Sequence, residues 1–231
     1  MQGDWCVGWV LFDLNGTLLD PAGIAEPLGG GDEDRRLVDG AFREALLLTM
    51  AATLSGGAYR PLPDYLRAAL ERALHAGGRD LAALDEAMQR AGAMAPFAGA
   101  DAALAALRDA VLRCGVLTNS TTDAAERSLR SAGLRDHIEI VIGSDVVKTF
   151  KPHPRVYANA AATLDVEPAE VCLVAAHAWD VTGAMRVGLR GASAAHAERR
   201  LTSVVPEPDV RGDDLADVAG KLIAHAQTAA Q

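Results

Sequence analysis

The residues that could carry chemistry follow four short apolar runs in the sequence. They are two carboxylates, a pair of hydroxyl and amide donors and an ammonium, at Asp13, Thr118, Asn119, Lys151 and Asp180. A carboxylate can act as a nucleophile or as the base that activates water, and a lysine can stabilise the negative charge of both. Each residue alone fits a plainer role in a turn, a helix cap or a surface charge. Because four consecutive runs each deliver such a group, the pattern favours a hydrolytic site.

The apolar runs themselves predict the strands that would hold these residues. They are 6–12, 113–118, 138–143, 171–175 and, as a candidate fifth strand, 191–195. Helical patterns follow at 123–133, 154–166 and 181–188. Alternating strands and helices predict an α/β fold, with a Rossmann-like parallel sheet core and helices on both faces. The carboxyl ends of parallel strands lie at one edge of the sheet, so the polar residues should meet there.

The segment 20–97 breaks this alternation, because it contains three helical patterns and no predicted strand. An all-helical block placed after the first strand predicts an inserted cap over the sheet edge. We therefore expect a core domain of residues 1–19 and 98–231 and a helical cap domain of residues 20–97. Glycine-rich stretches at 28–36 and 55–63 are predicted to be loops of the cap.

Charge and composition exclude several classes of function. The chain has 231 residues and a net charge of −9, without the basic patch that a nucleic acid or an anionic membrane would require. No apolar stretch approaches the roughly 20 residues of a membrane span, and the amino terminus lacks the basic segment of a signal peptide. These features predict a cytoplasmic protein. Its three cysteines, Cys6, Cys114 and Cys172, lie in apolar runs and are expected to be buried thiols.

Four motifs of the chain resemble those of the haloacid dehalogenase superfamily. They are "DLNGT", "LTN", "KPHPRVY" and "AHAWDVTGA", in the order of the superfamily and with a helical insertion after the first. The resemblance covers nearly the whole chain and implies that Asp13 is a covalent nucleophile. Most members are magnesium-dependent phosphatases, and a smaller branch hydrolyses the carbon–halogen bond of 2-haloacids. The resemblance also implies a homodimer formed through the cap.

Two positions favour the dehalogenase branch. The phosphatases carry a second aspartate two residues after the nucleophile, where this chain has Asn15, which cannot protonate a leaving alcohol. They also carry a magnesium-binding acid about five residues before Asp180, where this chain has Ala175. A halide leaves without protonation, so we expect an enzyme without metal or cofactor. The alternatives are a magnesium-dependent phosphatase acting on a small phosphoester and a non-catalytic scaffold.

The resemblance to L-2-haloacid dehalogenases assigns further residues. It makes Arg43, in "FREALLLT", the halide-binding residue of the cap helix, and it gives Trp179 and Tyr157 counterparts in the substrate site. The dehalogenases usually have asparagine where this chain has His177, and tyrosine where it has Asn15. His177 either orients the hydrolytic water or packs beside Trp179. Cap residues Leu47, Tyr59 and Leu62 either enclose the substrate carbon skeleton or belong to the core.

The expected reaction is hydrolysis of a short 2-haloalkanoic acid through an ester of Asp13. Asp13 attacks C2 in line, which inverts that carbon and releases the halide, and Asp180 then activates the water that hydrolyses the ester. Lys151 stabilises the charge of Asp13, and Thr17 and Tyr157 position Asp13 and Lys151. The substrate-binding residues are predicted to be Leu14 and Asn15 through their backbone amides, with Arg43, Thr118, Asn119, Tyr157 and Trp179.

Overall fold

Six parallel strands form the central sheet of the computed structural model, which describes residues 5–196, 198, 200 and 202–229. The strands are β1 (Trp9–Phe12), β4 (Arg113–Thr118), β5 (Ile140–Gly143), β6 (Val171–Ala175), β7 (Arg190–Ala194) and β8 (Val210–Gly212). Their order across the sheet is β5–β4–β1–β6–β7–β8. β1 is therefore central, with β4 on one side and β6 on the other, and the chain reverses its winding direction there.

Helices cover both faces of the sheet, which confirms the predicted fold class. They are α4 (Ala100–Asp109), α5 (Thr122–Ser131), α6 (Pro154–Leu164), α7 (Ala178–Arg186) and α8 (Leu215–Ala229). Alternate residues of β1 point to opposite faces: Val10 and Phe12 join the core cluster shared with α4, α5 and α8, whereas Trp9 and Leu11 join the cluster of α6 and α7. A strand buried on both faces has no polar side, which is why these runs are continuously apolar.

The helical insertion lies between β1 and β4. It contains a 3-10 helix (Pro21–Leu28), α1 (Asp32–Leu54), α2 (Leu62–Ala76) and α3 (Leu84–Ala91). Two short strands, β2 (Leu19–Asp20) and β3 (Ala95–Pro96), pair antiparallel at the two ends of the insertion. The chain thus leaves and re-enters the core at neighbouring positions, and we propose the domain boundaries at this pair of strands.

Several sequence predictions differ from the structure. Cys6 is exposed rather than buried, because β1 begins only at Trp9 and the residues before it lie outside the sheet. The predicted loop at 28–36 is partly helical, since α1 begins at Asp32 with three acidic residues whose charge favours a helix amino terminus. α4, β8 and α8 lie outside the elements that the sequence patterns predict. Within the described residues, no helix is long and apolar enough to cross a membrane.

Candidate active site

Four elements bring the predicted polar residues to one edge of the sheet. Asp13 follows β1, and Thr118 ends β4. Lys151 lies in the loop between β5 and α6, and Asp180 lies in the first turn of α7, after β6. β4, β1 and β6 are neighbours, so their carboxyl ends form one crevice. Lys151 Nζ therefore lies within hydrogen-bonding distance of Asp13 and Asp180, although the three residues are far apart in sequence.

Lys151 is the centre of this arrangement. Its Nζ donates hydrogen bonds to Asp13 Oδ1 at 2.8 Å, to Asp180 Oδ2 at 2.5 Å and to the backbone oxygen of Leu117 at 2.8 Å. The Lys151 and Asp180 side chains are fully buried, and that of Asp13 is 9% exposed. All three donor hydrogens of the ammonium are used, which is the condition for keeping a charge in a buried site.

Burial and charge act in opposite directions on these groups. Burial lowers the pKa of Lys151, but the charges and hydrogen bonds of Asp13 and Asp180 outweigh it and leave that pKa above its ordinary value. Burial raises the pKa of Asp180, with the charge of Asp13 adding to the rise and Lys151 opposing it. Tyr157 Oη donates to Asp180 Oδ1 at 2.7 Å, and burial raises the pKa of Tyr157. Lys151 thus stays charged and Tyr157 stays a donor at neutral pH.

The raised pKa of Lys151 predicts a loss of stability at alkaline pH. The folded chain holds this proton more tightly than the unfolded chain, so the stabilisation is complete below the ordinary pKa of 10.5 and falls as pH rises towards the folded value. We expect the free energy of unfolding, measured in urea, to decline above about pH 10.5. Lys151→Met should reduce that slope, and Lys221→Met, at an exposed ion pair, should retain it. Equal slopes in both variants would contradict the assignment.

Thr17 fixes the second oxygen of Asp13. Its hydroxyl donates to Asp13 Oδ2 at 2.8 Å and accepts from the backbone nitrogen of Ala176, just after β6, at 3.0 Å. The Asp13 carboxylate is therefore held at both oxygens, by Thr17 and Lys151. Such a carboxylate is held in one orientation relative to the crevice, as a nucleophile for in-line attack requires.

A small cavity opens onto Asp13 and is called the inner cavity. Its volume is about 10 Å³. It is lined by Asp13, Asn15, Phe42, Leu46, Leu62, Thr118, Asn119, His177 and Trp179. Residues of α1 and α2 close it from above, and the strand ends form its floor. A cavity of this kind excludes bulk water from the carboxylate and strengthens the charge interactions within it.

Comparison with known proteins identifies the family of a chain with this crevice. The model of the haloacid dehalogenase-like hydrolase family matches residues 7–188. The chain belongs to this family. This hydrolase is 31% identical over 182 residues to the (S)-2-haloacid dehalogenase of Xanthobacter autotrophicus, an alignment that covers 78% of this chain and 71% of that protein.

The solved structures and curated relatives that resemble this hydrolase include dehalogenases and a phosphatase. The structure of the Xanthobacter autotrophicus L-2-haloacid dehalogenase with chloropropionic acid covalently bound superposes with a TM-score of 0.83 at 26% identity, covering 93% of this chain and 97% of that one. The plasmid phosphoglycolate phosphatase of Cupriavidus necator is 31% identical over 192 residues, which is 78% of this chain and 77% of that protein. Other curated dehalogenases align over only 36% to 42% of their own lengths.

The donor set of this hydrolase does not fit magnesium. The ammonium of Lys151 lies between the carboxylates of Asp13 and Asp180, and Ala175 supplies no oxygen ligand. Magnesium prefers an octahedron of oxygen ligands, usually including carboxylates. Across the residues that the structure describes, no cluster of three or more His, Cys, Asp or Glu side chains could hold a metal ion.

Several predicted site residues serve in ways that the sequence did not indicate. Asn119 accepts from the backbone nitrogen of Lys151 at 2.8 Å, so its amide holds the lysine loop. Tyr157 contacts Asp180 rather than Lys151 and lies outside the inner cavity. The Leu14 side chain is fully buried in the core. Ser144 is not among the residues predicted from the sequence. It donates to the backbone oxygen of Asn119 at 2.8 Å and supports the same loop.

Arg43 does not reach the inner cavity in this structure. It is exposed on α1 and lines a larger space, the outer cavity, of about 620 Å³. Phe42, Leu46, His177 and Trp179 line both cavities and separate them. The halide-binding role of Arg43 stays a prediction. Of the three cap residues considered, Leu62 lines the inner cavity, Leu47 lines the outer cavity and Tyr59 stacks on Phe150 instead.

The ring of His177 lies between Gly16, in the loop after β1, and Trp179. A Cβ on Gly16 would lie 2.7 Å from His177 Cε1, and the Trp179 ring stacks with the imidazole at 6.0 Å between centroids. His177 Nδ1 is buried and has no hydrogen-bond partner among the described residues. The ring thus packs beside Trp179, and its Nδ1 is a buried polar atom that water does not reach in this structure.

Gly16→Ala should therefore damage both stability and turnover. Gly16 has φ of 86°, where an alanine is strained, and its new methyl group would collide with His177. We expect a loss of about 1–3 kcal/mol in the free energy of unfolding, measured by urea denaturation. Gly16→Ala with His177→Ala removes the collision but keeps the backbone strain, so it should recover part of the loss. No recovery would show that the ring contact contributes nothing.

Proposed function

We propose that this haloacid dehalogenase-like hydrolase is a 2-haloacid dehalogenase that works without a metal. The observation that carries the proposal is the position of Lys151, whose ammonium bridges Asp13 and Asp180. It leaves the pair of carboxylates with one neutralising charge and a net charge of −1. A monoanionic haloacid meets less repulsion there than a phosphate dianion does. Its leaving halide also needs no proton, which Asn15 could not supply.

The first step forms an ester on Asp13. A carboxylate oxygen of Asp13 attacks C2 from the side opposite the halogen, and the carbon–halogen bond breaks with its electron pair on the halide. The backbone amides of Leu14 and Asn15, with the side chains of Thr118 and Asn119, hold the substrate carboxylate. For Arg43 to receive the halide, its side chain has to move from the outer cavity towards the inner one.

The second step hydrolyses the ester. Asp180 takes a proton from water, the resulting hydroxide adds to the Asp13 carbonyl carbon, and the bond from that carbon to the substrate oxygen breaks. The 2-hydroxyacid leaves with inverted configuration, one proton is released, and Asp13 regains its charge. His177, which lines the inner cavity together with Asp13, orients the water. The cytoplasmic location and the homodimer stay predictions.

Halide release from the two enantiomers of 2-chloropropionate tests this proposal. We expect release from the L enantiomer alone, unaffected by EDTA, and D-lactate as the product. The control is an aryl phosphate assay with added magnesium, run because a phosphatase is among the relatives of similar identity. Phosphate release that depends on magnesium, with no halide release, would reverse the assignment.

A further inference from the structure

A third cavity adjoins the inner cavity on the side away from His177, and it is called the apolar cavity. It shares Asn15, Phe42 and Leu62 with the inner cavity and extends between α2, α3 and α5. The inner cavity, at about 10 Å³, is about the size of one water molecule. Any longer carbon chain must therefore leave it, either into the apolar cavity or into the outer one.

The two exits differ in chemistry. The walls of the apolar cavity include Leu66, Met88 and Met94, with Leu62 at its entrance. Among the described residues, Arg127 is its one charged lining residue, and Asn15, Ser120 and Ser128 are its other polar ones. The outer cavity carries charged and titratable groups on every side: Asp20, Arg35, Asp39, Arg43, His196 and Glu198. The transfer of an alkyl chain out of water is favourable only where the chain contacts apolar surface. Methionine side chains adapt to the shape of such a ligand more readily than branched residues do.

Asn15 is a polar residue that lines both the inner cavity and the apolar cavity. Its Nδ2 donates to Ser120 Oγ at 3.0 Å, and both residues line the apolar cavity. The amide therefore has a partner within the wall and does not require one from the ligand. Phe42 lies at the junction, since it lines the inner, outer and apolar cavities.

We propose that the apolar cavity is the subsite for the alkyl chain of the substrate, beyond C2. The proposal rests on the dehalogenase function given above and specifies its substrate class. The cavity volume of about 130 Å³, at roughly 30 Å³ for a group the size of a water molecule, holds about four carbon atoms. The preferred substrates are then unbranched 2-haloalkanoic acids of about six carbons.

The first test measures kcat/KM for halide release from L-2-bromopropanoate, -butanoate, -pentanoate and -hexanoate. Burial of each methylene group should raise kcat/KM roughly fourfold up to the hexanoate. A flat or falling series, with clear turnover of the propanoate, would overturn the subsite and leave the proposed function standing. No halide from any member of the series would instead overturn the proposed function, and the subsite with it.

A pair of matched variants tests which cavity binds the alkyl chain of the substrate. Ala124, on α5, lines the apolar cavity, and Ala22 lines the outer cavity. Ala124→Phe should lower the ratio of kcat/KM for hexanoate over propanoate at least tenfold, and Ala22→Phe should leave that ratio unchanged. A fall of the ratio in Ala22→Phe alone would assign the alkyl chain to the outer cavity and overturn the proposal.

Inhibition by acids that lack a halogen tests the subsite in the wild-type protein, so the result does not depend on whether a variant folds. Propanoate, butanoate, pentanoate and hexanoate lack the halogen and should compete with substrate for the same site. The inhibition constant is expected to fall roughly fourfold with each added methylene group, up to the hexanoate. Equal inhibition constants across the series would contradict an alkyl subsite.

Discussion

Asp13→Asn is expected to lower halide release by at least about 10⁴-fold, the scale on which loss of a nucleophile acts in other covalent hydrolases. The substitution keeps the shape of the side chain and can keep the bond to Thr17 Oγ1. It removes the negative charge that attacks C2, and it leaves the ammonium of Lys151 paired with Asp180 alone. The structure should therefore survive while the chemistry stops.

Single-turnover experiments with excess enzyme would check this result. Mass spectrometry of the wild-type chain, quenched early with a slow substrate, should show the ester on the peptide that contains Asp13. Asp145→Asn is the matched control, because Asp145 lies after β5 of the same sheet and accepts a hydrogen bond from the Thr122 nitrogen, at the start of α5, at 2.7 Å. It should retain halide release. Full turnover by Asp13→Asn would end the covalent mechanism.

Lys151→Met is expected to cost both activity and stability. It removes the cation from between two buried carboxylates, and breaking a buried ion pair of this kind typically costs about 3–5 kcal/mol. Asp13 and Asp180 then repel each other without a mediating charge, so one of them takes up a proton and cannot act. We expect the urea midpoint to fall steeply at neutral pH and halide release to be lost.

The double variant Lys151→Met with Asp180→Asn separates charge repulsion from lost packing. Removing the charge of Asp180 relieves the repulsion, so the double variant should be more stable than Lys151→Met alone while remaining inactive. Lys148→Met, at an exposed lysine, controls for the loss of a surface lysine and should behave like the wild type. A double variant no more stable than the single one would show that repulsion is not the cause.

The sequence predicted the parallel sheet and the meeting of Asp13, Lys151 and Asp180, because strands that alternate with helices run parallel and their carboxyl ends lie at one edge of the sheet. It could not predict contacts set by rotation about a helix axis. Phe42 and Arg43 are neighbours in the chain but lie about 100° apart around α1. As a result, Phe42 lines the inner cavity and Arg43 only the outer one. The pattern of the helix alone does not say which of the two faces the sheet edge.

The hydrogen-bond partners of side-chain amides could not be predicted from the sequence either. Asn119 follows a strand end, where a ligand-binding role and a structural role look alike. The structure shows that its amide carbonyl is used by the backbone of Lys151. The tertiary path of the loop after β5 adds this structural role to the substrate contact proposed above for the same side chain. The shared apolar wall of Leu62 and Met88 likewise depends on how α2 and α3 pack.

The positions of the three cysteines allow unfolding of the protein to be followed by thiol labelling, without an introduced cysteine. Cys6 is exposed, whereas Cys114 and Cys172 are buried on the strands that flank β1. Burial raises the pKa of Cys114 to about 12 and raises that of Cys172 as well, so neither is a reactive thiolate in the folded state. A maleimide dye should label one position of the native protein. The rate at which the other two become labelled would then measure how often the centre of the sheet opens.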